Sequence, residues 1–184
     1  NIYICINYLY MIEKLIKIEI DLPNLLSNPE IWNTLDIDYF PPRVERLWMQ
    51  YDKEHRLYIH RIYPTNETCL FHKHRWPAAF KMIHGSYEMG ISYSENEVSS
   101  DEAYKLPIIS RFIMSEGSYY EMTNTHTLHY VKPLEEPSIS LMITGNLYSE
   151  ASFRKESLNK ELSELSDSGK NEILSILKLK YLDI

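Results

Sequence analysis

The sequence predicts a mainly β protein, built as an antiparallel sandwich or barrel with helices at its two ends. Two observations predict this class. Between residues 43 and 145, short runs rich in Val, Ile, Tyr, Phe and Thr alternate with polar turns such as "DKEH" and "PTNET", a pattern typical of antiparallel strands rather than of βαβ units. After residue 145 the composition changes abruptly to Leu, Lys, Glu and Ser, with leucines at helical spacing.

The first part of the chain, residues 1–43, is predicted to form an N-terminal arm. Its opening stretch, "NIYICINYLYMI", is too short to span a bilayer and lacks the basic start of a signal peptide, so we expect neither a membrane partner nor secretion. We interpret residues 1–10 as a non-native extension, because Met11 looks like a natural start. The alternative interpretation is an edge strand of alternating Ile and Tyr.

A short helix is predicted over about 29–36, because Ser27 or Asn28 is a suitable N-cap and Pro29 suits the first helical position. Strands then fill residues 44–146, the predicted barrel. In chain order the strand-like runs are "RVERLWMQY", "RLYIHRIY", "CLFHKH", "AAFKMIH", "YEMGISYS", "PIISRFIMS", "EGSYYEMTN", "HTLHYVK" and "SISLMITG".

The C-terminal part, residues 147–184, is predicted as a helical extension of the same domain. Gly169 divides it, so we expect a helical pair over about 152–166 and 170–181. This pair would cover an open edge or face of the sheet, or form the contact of a homodimer. The residues expected to pack are Leu158, Leu162, Leu165, Ile173, Leu174, Ile176 and Leu177.

The composition is that of one folded domain. The chain has 184 residues, of which 44% are hydrophobic and 24% charged, so it is long enough to bury a core and too apolar for a disordered protein. Its formal net charge of −7 argues against a nucleic-acid partner. Its cysteines, Cys5 and Cys69, form no CxxC pair, so we expect no thiolate zinc site and a reducing, cytoplasmic setting.

Two histidines, His72 and His74, lie one residue apart in "CLFHKHRWPAAF". Strand side chains alternate between faces, so both imidazoles point the same way as Leu70, on an apolar face. An unpaired buried polar group costs ~1–3 kcal/mol, and a divalent metal would supply the missing partner because neutral imidazole is its commonest nitrogen ligand. The alternative is that they are two ordinary polar residues on a strand surface.

The spacing of this stretch resembles the first motif of the cupin superfamily, which reads H-x-H, three or four residues, Glu, six residues, Gly. His72, His74 and Gly85 match the pattern, whereas Ala78 stands where the family usually has a glutamate ligand. The later stretch "EGSYYEMTNTHTLHYV" resembles the second motif, which ends in a metal-binding histidine, here His129. The resemblance covers about residues 56–146.

The resemblance implies a cupin-like β-barrel, of the double-stranded jelly-roll type, that binds one divalent metal ion through His72, His74 and His129. Without the glutamate, three outcomes are open. The site uses three histidines alone, it is completed by another residue, or it is degenerate and holds no metal. The candidates for completing it are His126, Glu88 and Glu121. Fe(II) is the expected ion, with Ni, Mn or Zn as alternatives, because one cupin branch, the thiol dioxygenases, has a three-histidine iron site.

The predicted function is therefore that of a non-haem iron dioxygenase acting on a small polar or anionic substrate. A substrate anion needs a cation, and Arg61 and Arg111 are the candidates because a guanidinium binds a carboxylate bidentately. His126 is a further candidate near the metal or substrate, and Trp76 would shape the mouth of the barrel or pack. The alternatives are a non-oxidative isomerase or epimerase of a sugar-like substrate, and a non-catalytic binding module with a degenerate metal site.

Overall fold

The computed structural model describes residues 11–38, 40–148 and 163–182. Two long helices, one short helix, one 3₁₀ turn and ten strands lie in these ranges. In chain order they are α1 (Met11–Leu26), the 3₁₀ turn (Pro29–Ile31), β1 (Asn33–Ile37), β2 (Val44–Gln50), β3 (Arg56–Ile62), β4 (His72–Lys73), β5 (Ala78–His84), β6 (Ser86–Tyr93), α2 (Ser100–Ala103), β7 (Ser110–Ser115), β8 (Tyr119–Met122), β9 (Thr127–Pro133), β10 (Ser138–Thr144) and α3 (Asp167–Tyr181).

The strands form two antiparallel sheets, which confirms the predicted mainly β class. One sheet has six strands in the order β1-β2-β3-β10-β5-β8, and the other has four in the order β4-β9-β6-β7. The sheets face each other, since the hydroxyl of Tyr87 on β6 donates to that of Tyr120 on β8 at 3.0 Å. Within the described residues they do not close into one barrel, and the arrangement is that of a double-sheet jelly roll.

The predicted helix over 29–36 is wrong beyond its first turn. Only Pro29–Ile31 is helical, and Asn33–Ile37 is β1, which pairs with β2 along its whole length. The N-cap and Pro29 favour one helical turn. Pairing with β2 and burial of the segment make the residues that follow a strand instead.

Helix α1 was not predicted from the sequence. Its segment "MIEKLIKIEIDLPNLL" is rich in isoleucine and contains Pro23, which obscures the apolar stripe. The stripe is nevertheless present at helical spacing and is buried, and it consists of Met11, Leu15, Ile18, Leu22 and Leu26.

The predicted C-terminal helical pair has one described member. Residues 152–162 of the first predicted helix lie outside the described residues, and 163–166 are not helical, because Ser163 bridges to Asp36 at the free edge of β1. The second predicted helix is confirmed as α3. The expected division of the chain into an arm, a barrel and an extension stays a prediction.

Helices α1 and α3 cover one face of the six-stranded sheet, here called the helix-covered face. The burial of each large aliphatic side chain there contributes about 1.5–3 kcal/mol. The fully buried residues include Leu15, Ile18, Leu22, Leu47, Leu57, Ile59, Ile83, Leu141, Ile143, Ile173 and Leu177. None of the described helices combines the length and apolarity needed to cross a membrane.

Glu19 on α1 contacts the sheet and α3 through polar side-chain interactions. Its carboxylate accepts hydrogen bonds from the hydroxyls of Tyr119 at 2.6 Å and Tyr181 at 2.7 Å, and it pairs with Lys81. These partners belong to β8, α3 and β5, so one carboxylate on α1 joins all the layers of this side. The opposite face of the same sheet, here called the inner face, is turned to the four-stranded sheet.

Candidate metal centre

Pairing of β4 with β9 brings three histidines together between the sheets. His72 lies directly opposite His129 in the register, and His74 follows β4. The Nε2 atom of His129 lies 2.9 Å from Nε2 of His74 and 3.1 Å from Nε2 of His72. All three ligand atoms lie within 4.8 Å of one another. We call this cluster the histidine triad.

The spacing of the triad fits a single metal ion. Two ligand nitrogens at right angles, each about 2.1 Å from one ion, would lie about 3.0 Å apart. The two short distances in the triad are 2.9 and 3.1 Å. A ring nitrogen of a neutral imidazole carries either one proton or one lone pair, so Nε2 of His129 forms a good hydrogen bond to only one of its two neighbours. A divalent ion would satisfy all three lone pairs at once.

The tautomer of His72 is set by the main chain. Its Nδ1 lies 3.3 Å from the carbonyl oxygen of Leu70, which can only accept, so Nδ1 carries the proton and Nε2 the lone pair. The ring of His129 has no such partner, because its buried Nδ1 makes no hydrogen bond to the described residues. Packing holds this ring instead.

Aromatic rings of the inner face form the wall beside the triad. Phe80 meets His74 edge to face at 5.4 Å and lies 5.9 Å from His129, measured between ring centroids. Tyr120 stacks on Phe80 at 4.4 Å and lies 6.0 Å from His129. Trp76 packs in the same cluster, beside Phe80 and Ala78. This wall keeps the inner side of the triad apolar.

Burial of their rings keeps His74 and His129 uncharged, whereas His72 lies at the exposed side of the triad. Burial, with contributions from the neighbouring imidazoles of His72 and His74, lowers the pKa of His129 well below its ordinary value. Burial lowers the pKa of His74 to about 3, with smaller contributions from the neighbouring imidazole of His72 and from the guanidinium of Arg46. Both rings are therefore neutral at physiological pH and keep lone pairs for a ligand.

The residues that were expected to complete the triad contribute no ligand to it among the described residues. Ala78 is buried on the inner face, where it offers no donor atom. The carboxylate of Glu121 accepts from the backbone N–H of Ile12 at 3.2 Å. His126 precedes β9, and its ring lies 5.8 Å from that of Tyr93. Among the described residues, no Asp or Glu joins the cluster.

Arg61, proposed from the sequence as a substrate cation, lies on the helix-covered face. Its guanidinium is nearly buried and forms ion pairs with Glu45 on β2 and Glu172 on α3. Its neighbour His60 points to the other face, because successive strand residues alternate. The structure therefore does not bring Arg61 to the triad.

Arg111, the second proposed cation, lies on the outer face of the four-stranded sheet. It stands opposite Gly90, which in turn stands opposite Tyr130, and these positions share one face. The hydroxyl of Tyr130 donates to Glu88 at 2.6 Å, and Arg111 approaches the same carboxylate at 3.7 Å. His129 points the other way, so neither Arg111 nor Glu88 reaches the triad.

Two inner-face residues that sequence reasoning missed are Arg46 and His60. They stand opposite each other on β2 and β3, and Nε of Arg46 donates to Nε2 of His60 at 2.9 Å. Alternation along "RLYIHRIY" does separate His60 from Arg61. It could not reveal which of them faces inward, because every residue of β3 after Arg56 is buried.

Two facing antiparallel sheets, with an H-x-H pair and a later histidine meeting between them, are the arrangement that the sequence resemblance implied. The fold is cupin-like. No protein-family model matches the chain, and no curated protein matches it.

Several solved structures overlap this cupin-like fold at low identity. KdgF from Halomonas sp. is 15% identical with a TM-score of 0.43, over 61% of this chain and 88% of that one. Hydroxypropylphosphonic acid epoxidase from S. wedmorenis is 11% identical with a TM-score of 0.46, over 64% of this chain and 56% of that one. DMSP lyase DddQ from Ruegeria pomeroyi is 13% identical with a TM-score of 0.39, over 55% and 42%. The chain thus spans little more than half of the epoxidase.

Proposed function

We propose that this chain is a metal-dependent enzyme that holds one divalent ion, Fe(II), through His72, His74 and His129. The observation that carries the proposal is the convergence of three Nε2 atoms, with two separations of 2.9 and 3.1 Å. Three neutral imidazoles leave the ion its full charge and open positions, which supplies Lewis-acid or redox chemistry to a small substrate. The finer proposal is a non-haem iron dioxygenase of a small polar or anionic molecule.

The residues around the triad have definable roles in such a reaction. Phe80 and Tyr120 exclude water from one side of it. Burial raises the pKa of Tyr120 well above its ordinary value, so its hydroxyl stays protonated. Tyr120 therefore serves as a neutral hydrogen-bonding group, not as a base, and any proton acceptor has to be another group.

A non-catalytic binding module is the second candidate, and Ala78 favours it. This buried residue occupies the position of the usual glutamate ligand, and no described carboxylate replaces it. The two candidates differ in a simple property, since a degenerate site would bind no ion in a fixed ratio.

The first test is the metal content of the purified protein after anaerobic loading with Fe(II), measured by inductively coupled plasma mass spectrometry. We expect one ion per chain, lost in His72→Ala, His74→Ala and His129→Ala. The matched control is His84→Ala, because this partly exposed histidine lies beside Glu136 and outside the triad. Binding that persists in all three triad variants would disprove the assignment, and no binding by the wild type would favour the binding module.

The second test separates the dioxygenase from a non-oxidative enzyme. The Fe(II)-loaded protein is screened with short carboxylic acids in an oxygen electrode, with His129→Ala as the inactive control. Substrate-dependent O₂ uptake supports the dioxygenase. Turnover of a sugar-like acid in the absence of O₂ would instead identify an isomerase or epimerase.

A further inference from the structure

A row of apolar side chains crosses the inner face of the six-stranded sheet beside the triad. Opposing positions in the register run from β2 through β3, β10 and β5 to β8. Opposing positions on paired strands share a face, and the rings of Phe80 and Tyr120 lie 5.9 and 6.0 Å from that of His129. The whole row therefore faces the space between the sheets. This apolar row consists of Trp48, Tyr58, Met142, Phe80 and Tyr120.

The triad lies against this row. Within the described residues, Tyr120 is the one member that also packs with apolar side chains of the four-stranded sheet. The other members pack with Ala78, Met122 and Trp76 in a separate cluster. On the side of the four-stranded sheet, Phe80 meets two imidazole rings of the triad instead of an aliphatic core. A ligand held by the triad is therefore next to an apolar surface.

The composition and length of the row suit an aromatic ring. Neighbouring strands lie about 4.8 Å apart, so the positions from Phe80 through Met142 to Tyr58 span about 10 Å, enough for one ring. Flat rings pack well on aromatic side chains and on the polarisable thioether of methionine. The row thus offers an apolar subsite for a ligand.

Solvent reaches the triad on the side of β4. His72 is exposed and His74 is partly exposed, whereas His129 is buried. Trp76, which follows His74 by two residues, is also partly exposed. A ligand that enters on this side meets Trp76 and the triad together.

The indole N–H of Trp76 is buried and has no hydrogen-bond partner in the part of the chain that the structure describes. The side chain as a whole is partly exposed, so its N–H edge is turned inward, toward the cluster that it forms with the apolar row. Tryptophan has one donor and no acceptor, and native proteins leave few buried donors unpaired. An oxygen atom of a bound ligand would supply the missing acceptor.

We infer that the ligand of the triad is an acid that carries an aromatic ring, which packs on the apolar row while Trp76 donates to one oxygen atom of the ligand. The inference rests on the proposed function for the ion that holds the acid group. It replaces a small polar substrate by one with an apolar body, and it makes Trp76 a specificity-determining residue. The competing role for Trp76 is packing alone, with its N–H turned to the face of a neighbouring ring.

Isothermal titration of the Fe(II)-loaded protein under anaerobic conditions tests the substrate class. The probes are mandelate and glycolate, which share a 2-hydroxy acid group and differ by one phenyl ring. The wild type should bind mandelate about tenfold more tightly or better, because the ring leaves water. Phe80→Leu should reduce this preference severalfold. Ile83→Val, on the helix-covered face of the same strand, is the matched control and should leave it unchanged.

Trp76→Phe tests the donor, because it keeps an aromatic ring and loses the N–H. We expect the mandelate affinity to fall about fivefold, the effect of one lost hydrogen bond, while the metal content stays at the wild-type value. Packing alone predicts that Trp76→Phe binds mandelate as the wild type does, and that result would overturn the donor role.

The indole N–H signals of ¹⁵N-labelled wild type provide a test that needs no stable variant at the site. The chain has three tryptophans, so few signals have to be separated. With diamagnetic Zn(II) in the protein, mandelate should move the Trp76 signal downfield. The Trp32 signal should stay in place, because its N–H already donates to the carbonyl oxygen of Leu25 at 3.2 Å. A Trp76 signal that does not move at saturating mandelate would contradict the inference.

Metal content measured on the same samples separates the two proposals. If the wild type holds the ion but binds the two acids equally, or binds neither, the inference fails and the metal site stands. If the wild type takes up no ion, the proposed function fails, and both acids are titrated into metal-free protein. There, a preference for mandelate that Phe80→Leu weakens still supports the aromatic subsite, and its absence overturns it.

Discussion

The two faces of the six-stranded sheet hold charged residues in opposite ways. On the helix-covered face, Arg61 is neutralised by Glu45 and Glu172 and lies in a dense aliphatic core. On the inner face, the three histidines of the triad converge, and no described carboxylate joins that cluster. An arginine that the protein neutralises with its own acids serves stability. A set of imidazoles that no described carboxylate joins is instead suited to a metal ion.

The largest expected effect comes from placing a carboxylate on each face at adjacent positions. Ala78 faces the triad side and Ala79 the helix-covered core, and both are fully buried. Ala78→Glu and Ala79→Glu should each lower the free energy of unfolding of metal-free protein by about 3 kcal/mol or more, because each buries an unpaired charge.

Fe(II) should restore stability in Ala78→Glu alone, since only that carboxylate lies on the side of the triad. Thermal melts with and without the ion measure the difference, and Ala79→Glu is the matched control. An equal response of the two variants to Fe(II) would show that the ion does not bind at the inner face.

The next largest effect concerns the buried ion pair of the helix-covered face. Glu45→Gln leaves Arg61 nearly buried without its main partner and should cost about 3 kcal/mol in the free energy of unfolding. Glu172→Gln removes the exposed partner and should cost about 1 kcal/mol or less. Urea unfolding measures both. Equal costs would mean that α3, rather than β2, anchors the arginine.

A smaller change in stability is expected when the pH is lowered, and it originates at a histidine on the side of the inner face. The pKa of His74 is about 3 in the folded protein, below its ordinary value of 6.5, so between these values the unfolded chain binds more protons. Stability of the metal-free protein should therefore fall as the pH falls through this window. Melting temperatures at pH 7 and 5 measure the fall. His74→Gln should flatten it, whereas an unchanged slope in that variant would rule out His74 as the source.

The smallest effect tests the cap of α3, the helix that covers one face. The side chain of Ser166 accepts from the backbone N–H of Gly169 at 3.2 Å. Ser166→Ala should cost about 1 kcal/mol in the free energy of unfolding, and Ser166→Asp, which keeps an acceptor, should cost less. Chemical unfolding measures both. Metal content should be unchanged in either variant, because the cap lies on the far side of the sheet from the triad.

Much of the fold could be predicted from local patterns. Nine of the strands lie where the apolar and β-branched runs predicted them, since alternation and turn residues are local signals. The exceptions are α1 and β1. The stripe of α1 is interrupted by Pro23, and β1 carries a helix start signal at Pro29, so in both segments packing against the sheet decided the outcome.

The candidate site likewise has features that local patterns predict and features that only tertiary contacts decide. The shared direction of His72 and His74 follows from strand alternation, and the spacing to His129 follows from the motif resemblance. The convergence of their Nε2 atoms needed the pairing of β4 with β9, which joins residues more than fifty positions apart. No local pattern could identify Arg46, because its partner His60 belongs to a strand that is buried on both faces.

The sequence by itself determined the class of the protein, the positions of most strands and the three histidines. These features depend on side-chain chemistry and on short-range periodicity, and both can be recognised in the sequence alone. Only the tertiary structure decided which face of each strand is inward, that Glu45 and Glu172 neutralise Arg61, and that the three Nε2 atoms converge. The physical reason is that a buried strand carries the same apolar signal on both sides, so the layers packed against it assign the roles of its polar residues.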